Sequence, residues 1–470
     1  MLYDKLKHLH IVDKLNSFLR SKFMVVIIAL LAGISNIFNL ELPVYYIYAL
    51  IVILTVLFSE DMLPTLPIAI CGYMTFSKNS NPHGSIDSTF SNNINLIQLI
   101  IIAITIGLFA ITRVIYEFIK HKERRNKPKL LLGYIILLIT SLLGGLFTDY
   151  YGLNTIFFGL IQTISISFTY FLFYYSIDWE KVKKERFMFI FLCVCILMLF
   201  ECLNMYIDSN ALSADKTFNR DYLFTGWGIN NNIAIICVTT LPAPFYYINT
   251  KKKYWPYILL ALLAYLNLFM LQSRNGILFG TITFIVCTIL TLKRFKDNKH
   301  LRTIYLTTLA VALIVTFIEF QTMENTFASL IEKGLSSNGR FIIYEDAIKT
   351  FIRSPIFGEG FYSYKEHLWT AIEKTTSFIP ARFHNTWFQQ LASCGILGLL
   401  AYCFHRFQTI KLFNKNENNI EIITMKVILT AFILMCILDC HFHNLGPGLI
   451  YSAILLFIEK VYTNKKETQN

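Results

Sequence analysis

Long apolar runs alternate along this chain with short polar connections rich in lysine and arginine. Runs approaching 20 residues are what a helix needs to cross the hydrocarbon core of a bilayer. The alternation predicts about fourteen such helices, at 23–38, 43–58, 62–76, 95–117, 130–148, 155–176, 188–206, 230–249, 255–272, 276–292, 303–319, 384–405, 425–440 and 446–459. Residues 43–58 and 62–76 are read as two spans, although the connection SEDML between them holds no basic residue. Merging them would reverse the side of the five N-terminal basic residues. The expected fold is an all-α polytopic membrane protein.

Composition agrees with that pattern. Hydrophobic residues make up 55% of the 470, and the mean hydropathy is +0.52. Charged residues make up only 15%, against about 25% in an ordinary soluble domain. The net charge of +12 does not point to nucleic acid, because the basic residues lie in short loops between spans, where they set topology. No cleavable signal peptide is expected, since the basic, amphipathic first 22 residues lead directly into a span. The ten cysteines fall within or at the ends of apolar runs, so no disulfide framework is expected. Cys436, Cys440, His441 and His443 resemble a metal cluster on paper, but small thiols are common filler in apolar helices.

The charges also assign sides. With the N-terminus in the cytoplasm, thirty of the forty-two lysines and arginines fall inside. Eleven fall outside, seven of them in one long loop, and Arg113 lies within a span near its inner end. Short loops are the informative ones in this rule, and they favour this orientation. The chain then divides into a bundle of about eleven spans at 1–319, an external loop at 320–383, further spans at 384–460 and a cytoplasmic tail at 461–470.

Two features of the external side depart from expectation. The tight hairpin "SRNG" puts Arg274 outside, against the inside bias, where a charge at the membrane surface needs a partner. In the loop, "SSNGRFIIYEDAIKTFIRSP" predicts an amphipathic helix capped by Asn338 and ended by Ser354 and Pro355. Phe341, Tyr344, Ile348, Phe351 and Ile352 share one face of it at helical spacing. Arg340 sits in its first turn, where free N–H groups already carry partial positive charge. A cation there is unfavourable unless an anion joins it, and that is a phosphate-binding arrangement. Beyond Pro380, "ARFHNTWFQQLASCGILGLLAYCFHR" puts Arg382, His384 and Asn385 at the outer mouth of the next span, with Gln389 on the face of Asn385.

Arginines at a membrane surface suit a diphosphate, and a histidine suits the removal of a proton from a hydroxyl. The combination describes glycosyl transfer from a lipid diphosphate. Such a leaving group needs no metal, and the external segments hold no D-x-D clamp.

The stretch "NGRFIIYEDAIKTFIRSPIFGEGFYSY", followed by "FHNTWFQQLASCGILGLLAY", resembles the O-antigen ligase and O-antigen polymerase superfamily of bacterial GT-C membrane glycosyltransferases. "SRNG" between two spans fits it as well, and the resemblance covers about 270–405. It implies a GT-C-like bundle with one long external helical loop. It also implies undecaprenyl-diphosphate-linked glycan as donor, the outer face of the bacterial plasma membrane as location, and an inverting reaction without metal or cofactor. A flippase and a chain-length regulator of the same pathway would be its partners. Position by position, Arg274 and Arg340 match the donor-diphosphate arginines and His384 the proposed base. Asn385, Gln389 and Arg220 match polar positions, and Arg382 and Tyr344 complete the expected substrate-binding set. The span count and helical loop favour polymerisation of repeat units, and ligation to a lipid or other acceptor is the alternative. A transporter is the competing class, with Glu201, Asp439 and Arg113 as its few buried ionisable candidates.

Overall fold

The computed structural model of the chain describes residues 2–76, 93–121, 126–149, 151–208, 223–322, 340–361, 383–413 and 419–467. Among these the regular structure is helical, apart from a two-stranded hairpin of Phe224–Thr225 and Gly228–Ile229. Each predicted span falls on helical chain. Among the described residues, eight helices are long and apolar enough to cross a bilayer, and His10–Leu19 with Lys22–Phe38, bent by 57°, would make a ninth. Residues 63–75, 131–143 and 255–270 form shorter apolar helices.

The contacts group the chain into two compact units that interleave along the sequence rather than following its order. The first contains 1–125, 172–332 and 417–432, and the second 126–171, 333–416 and 433–470.

In the first unit, polar side chains gather at the helix ends. Ser21 caps Lys22–Phe38 by accepting from the Met24 amide, and Asn39 closes that helix in the left-handed conformation. At one end, Asp61 pairs with Arg20 and accepts from the amides of Leu63 and Asp178. Buried Arg113 donates to the carbonyls of Val56, Ser59 and Glu60 and pairs with Glu117 at 2.7 Å. At the other end, Ser35 and Asn36 donate to the carbonyls of Thr75 and Phe76, and Trp227 donates to Glu201 at 2.7 Å. Each of these contacts joins residues that alternation places on the same side. They also resolve the SEDML question. Residues 63–75, broken into short helical turns by Pro64, Pro67 and Gly72, run beside Lys22–Phe38 from one end to the other. Residues 43–58 and 62–76 are therefore two separate helical segments.

The second unit is organised by a helix break. The expected single span at 384–405 lies within helix Thr386–Phe413, but Gly395 interrupts it with φ 63° and ψ −158°. The rings of Trp387 and Tyr402 lie 5.1 Å apart. Fifteen residues of straight helix would separate them by about 22 Å, so the arms 386–394 and 396–413 fold back on one another.

Such a break leaves carbonyls without partners at the end of one arm and amides without partners at the start of the other. Residues 355–360 satisfy both sets. The carbonyls of Ala392 and Ser393 accept from the amides of Glu359 and Gly360, each at 2.9 Å. The amides of Ile396 and Leu397 donate to the carbonyls of Pro355 and Ile356 at 2.9 and 3.4 Å. Backbone meets backbone this closely only without side chains between them. A Cβ on Gly395 would lie 2.3 Å from the Ile356 oxygen, and one on Gly358 2.5 Å from the Cys394 nitrogen. Gly358 and Gly360 of SPIFGEG (354–360) and Gly395 of GILG (395–398) thus lie on the two sides of one joint.

Gly395→Ala is expected to cost more than about 2 kcal/mol, from left-handed strain and steric overlap together. Gly107→Ala, whose added methyl would meet nothing within 4 Å, is expected to be neutral or slightly stabilising. Thermal unfolding of the two purified variants in one detergent compares them directly.

Candidate active site

The short arm presents His384 immediately before its first turn. Asn385 caps that arm: its Oδ1 accepts from the amides of Trp387 and Phe388 at 2.8 and 3.2 Å, and its Nδ2 donates to the Ile437 carbonyl at 2.6 Å. Gln389 is buried, accepting from the Phe383 amide at 3.1 Å and donating to Ser393 Oγ at 2.8 Å. Thr386 donates to the Asp439 carbonyl at 3.1 Å. Residues on both sides of His384 are therefore tied down, and His384 itself sits at φ 47°. A non-glycine residue reaches that region only when its surroundings impose it, and such residues concentrate at functional sites. Asn385 and Gln389, expected to bind substrate, have their amide groups engaged by the protein. In the structure these bonds fix the chain on either side of His384.

The imidazole Nδ1 lies 3.3 Å from Asp439 Oδ1. Asp439 follows helix Ile420–Leu438, is 6% exposed and also accepts from the Cys440 amide at 2.8 Å. A carboxylate on Nδ1 favours the tautomer with its proton there, which leaves Nε2 as the proton-accepting nitrogen. The side chain of His384 remains 37% exposed, open enough to meet a ligand.

Helix Arg340–Arg353 packs beside this pair. Its seated face is formed by Ile343, Tyr344, Ala347 and Thr350, against Phe383, Phe388 and Ala392. The apolar stripe read from sequence is not the face seated on the protein, because its Phe341, Ile348 and Ile352 are exposed. Periodicity identifies the widest apolar stripe, whereas close packing on the short arm selects the side carrying Ala347. The Tyr344 ring stacks on Phe388 at 4.6 Å, and its hydroxyl donates to the His384 carbonyl at 3.3 Å. Burial pushes the Tyr344 hydroxyl pKa up, against the opposing influence of the Arg340 cation. Arg340 is the first described residue of this helix.

Arg274 belongs to the first unit, where it is the first residue of helix Arg274–Arg294. Ser273 caps that helix by accepting from the Gly276 amide and donates to Asn231 at 2.9 Å. The preceding Gln272 has φ 49°, so the hairpin tip is again a constrained turn leading into a helix. Arg274 thus begins its helix behind a described cap. Arg220, Arg382 and Asn338 lie outside the described residues.

The second unit gathers Arg340, Tyr344, His384, Asn385 and Gln389. Sequence reasoning did not place Asp439 with them. Its signal was an acidic residue at the end of an apolar span, on the side that alternation gives to His384. Among the described residues, no group of three or more His, Cys, Asp or Glu side chains could hold a metal ion.

Residues 258–403 match the family model described as O-antigen ligase. No curated protein matches the chain. The matched region contains Arg274, Arg340, His384 and both sides of the glycine joint, and ends before Asp439. It supports the O-antigen ligase and polymerase superfamily for this chain.

His384→Gly removes the imidazole and suits the left-handed backbone. Its melting temperature is expected to stay within a few degrees of wild type, while transfer falls by about 10²-fold or more, the usual scale for a lost general base. Melting curves and transfer rates on the same preparation check this.

Proposed function

We propose that this membrane protein is an O-antigen-ligase-type glycosyltransferase, moving a glycan from undecaprenyl diphosphate to an acceptor hydroxyl at the outer face of the plasma membrane. The observation that carries the reading is the buried Asp439 carboxylate on His384 Nδ1, beside a helix that begins with Arg340. His384 Nε2 takes the proton of the acceptor hydroxyl as its oxygen attacks the anomeric carbon. The bond to the diphosphate breaks on the opposite face, so one displacement inverts the centre. Arg340, reinforced by the amide groups of its helix start, stabilises the charge that develops on the departing diphosphate. Arg274 takes the second arginine role that the resemblance implies.

The family match supports ligase-type transfer rather than the polymerase that the span count favoured. The two reactions share a donor and differ in acceptor. Arg113, a candidate for transport, is engaged by carbonyls and Glu117 within the fold. Asp439, another, is engaged by His384.

Purified protein in nanodiscs, given lipid-diphosphate-linked glycan and a chelator, is expected to glycosylate an added lipid acceptor. His384→Ala, Arg340→Ala and Arg274→Ala should each abolish most of that transfer. A glycan ladder formed without the acceptor would indicate a polymerase. No transfer under either condition would return attention to the transporter.

A further inference from the structure

Helix Arg340–Arg353 carries Arg340 at its start and is joined to the helix break through its end. Arg353, its last residue, meets Glu359 in a two-pronged ion pair, with Nε to Oε1 at 2.9 Å and Nη2 to Oε2 at 3.4 Å. Nη2 also lies 3.3 Å from Thr350 Oγ1, one turn back. A cation is well placed at a helix C-terminus, where the carbonyls carry partial negative charge. Glu359 is only 3% exposed, and its own amide is the donor to Ala392 in the joint beside Gly395. The side chain of Arg353 is 43% exposed, so the pair lies at the edge of the joint rather than in its core.

The joint alone fixes where residues 355–360 run, and it leaves the tilt of the preceding helix to its packing. That packing uses Ile343, Ala347, Thr350 and the Tyr344 ring, all within the helix's first eleven residues, and leaves its C-terminal end to Arg353. Arg340 lies thirteen residues before the pair, about 20 Å along the helix. A 5° change of tilt at the Arg353 end would move the Arg340 end by about 1.7 Å over that length. Misplacement of about 1 Å can lower a reaction rate by 10²-fold.

We infer that the Arg353–Glu359 pair is a positioning latch, which fixes helix Arg340–Arg353 to the Gly395 joint at the angle that keeps Tyr344 against His384 and sets where Arg340 stands. Its effect on catalysis rests on the glycosyl transfer proposed above. Its effect on the helix does not. Neither residue touches the reacting groups in this role.

The test uses full-length protein in nanodiscs and compares wild type with Arg353→Gln, Glu359→Gln, the double variant and Arg353→Lys. Initial rates of transfer and amide hydrogen exchange over 340–353 are both measured. Each Gln variant is expected to lower kcat about tenfold with KM nearly unchanged, while exchange over 340–353 rises and exchange over 396–413 does not. The double variant should be no slower than either single one, because the two residues act as a unit. Arg353→Lys should recover part of the rate. Unchanged kcat in the Gln variants of an active enzyme overturns the latch, as do losses that multiply in the double variant. If wild type transfers nothing, the proposed function fails, and exchange alone decides the latch. Raised exchange in both Gln variants then upholds it, and unchanged exchange overturns it.

Discussion

The backbone exchange around Gly395 is the contact on which the candidate site depends. A membrane offers no water to satisfy a broken helix, so a break persists only where other backbone or side chains supply the missing hydrogen bonds. Here residues 355–360 give amides to Ala392 and Ser393 and accept from Ile396 and Leu397. The short arm can therefore end at Gly395 and fold against the longer one. Without that exchange, residues 386–413 would form one continuous helix and His384 would not sit at the start of a short arm.

The same segment ties the site together. Residues 355–360 follow helix Arg340–Arg353 directly, so the chain that completes the joint also delivers Arg340 and Tyr344 toward His384. Asn385 caps the short arm and reaches the Ile437 carbonyl, while Thr386 reaches the Asp439 carbonyl. These bonds bring the Asp439 carboxylate to Nδ1 and hold His384 in its left-handed conformation. Motif residues that look like ligand contacts in a linear sequence thus divide into two groups. In the proposed reaction Arg340 and His384 offer the reactive groups, whereas the hydrogen bonds of Asn385, Gln389 and the glycine joint fix the backbone around them.

The first unit uses a different means to hold its helices. Its ionisable groups collect at helix ends and are answered by backbone carbonyls or by opposite charges, as with Arg113 and Asp61. A buried guanidinium between three carbonyls and a carboxylate is costly to strip of any partner, so it pins the corner after Glu41–Phe58. Arg274 stands at the start of its own helix behind the Ser273 cap.

The sequence by itself determined where the helices lie and that Arg274, Arg340 and His384 merit attention, and it supplied the alternation of sides as an expectation. These are local properties: an apolar run crosses a bilayer because of its own length, a basic loop orients its own ends, and a cation is anomalous at a helix start wherever that helix sits. Only the tertiary structure decided that the span at 384–405 is broken and that the Arg340 helix seats on its Ala347 side. The same holds for the engagement of Asn385 and Gln389 as supports and for the pairing of Asp439 with His384. Each of those depends on partners between about 6 and 55 positions away, and no periodicity or motif spacing encodes which distant carbonyl or carboxylate will meet a given side chain.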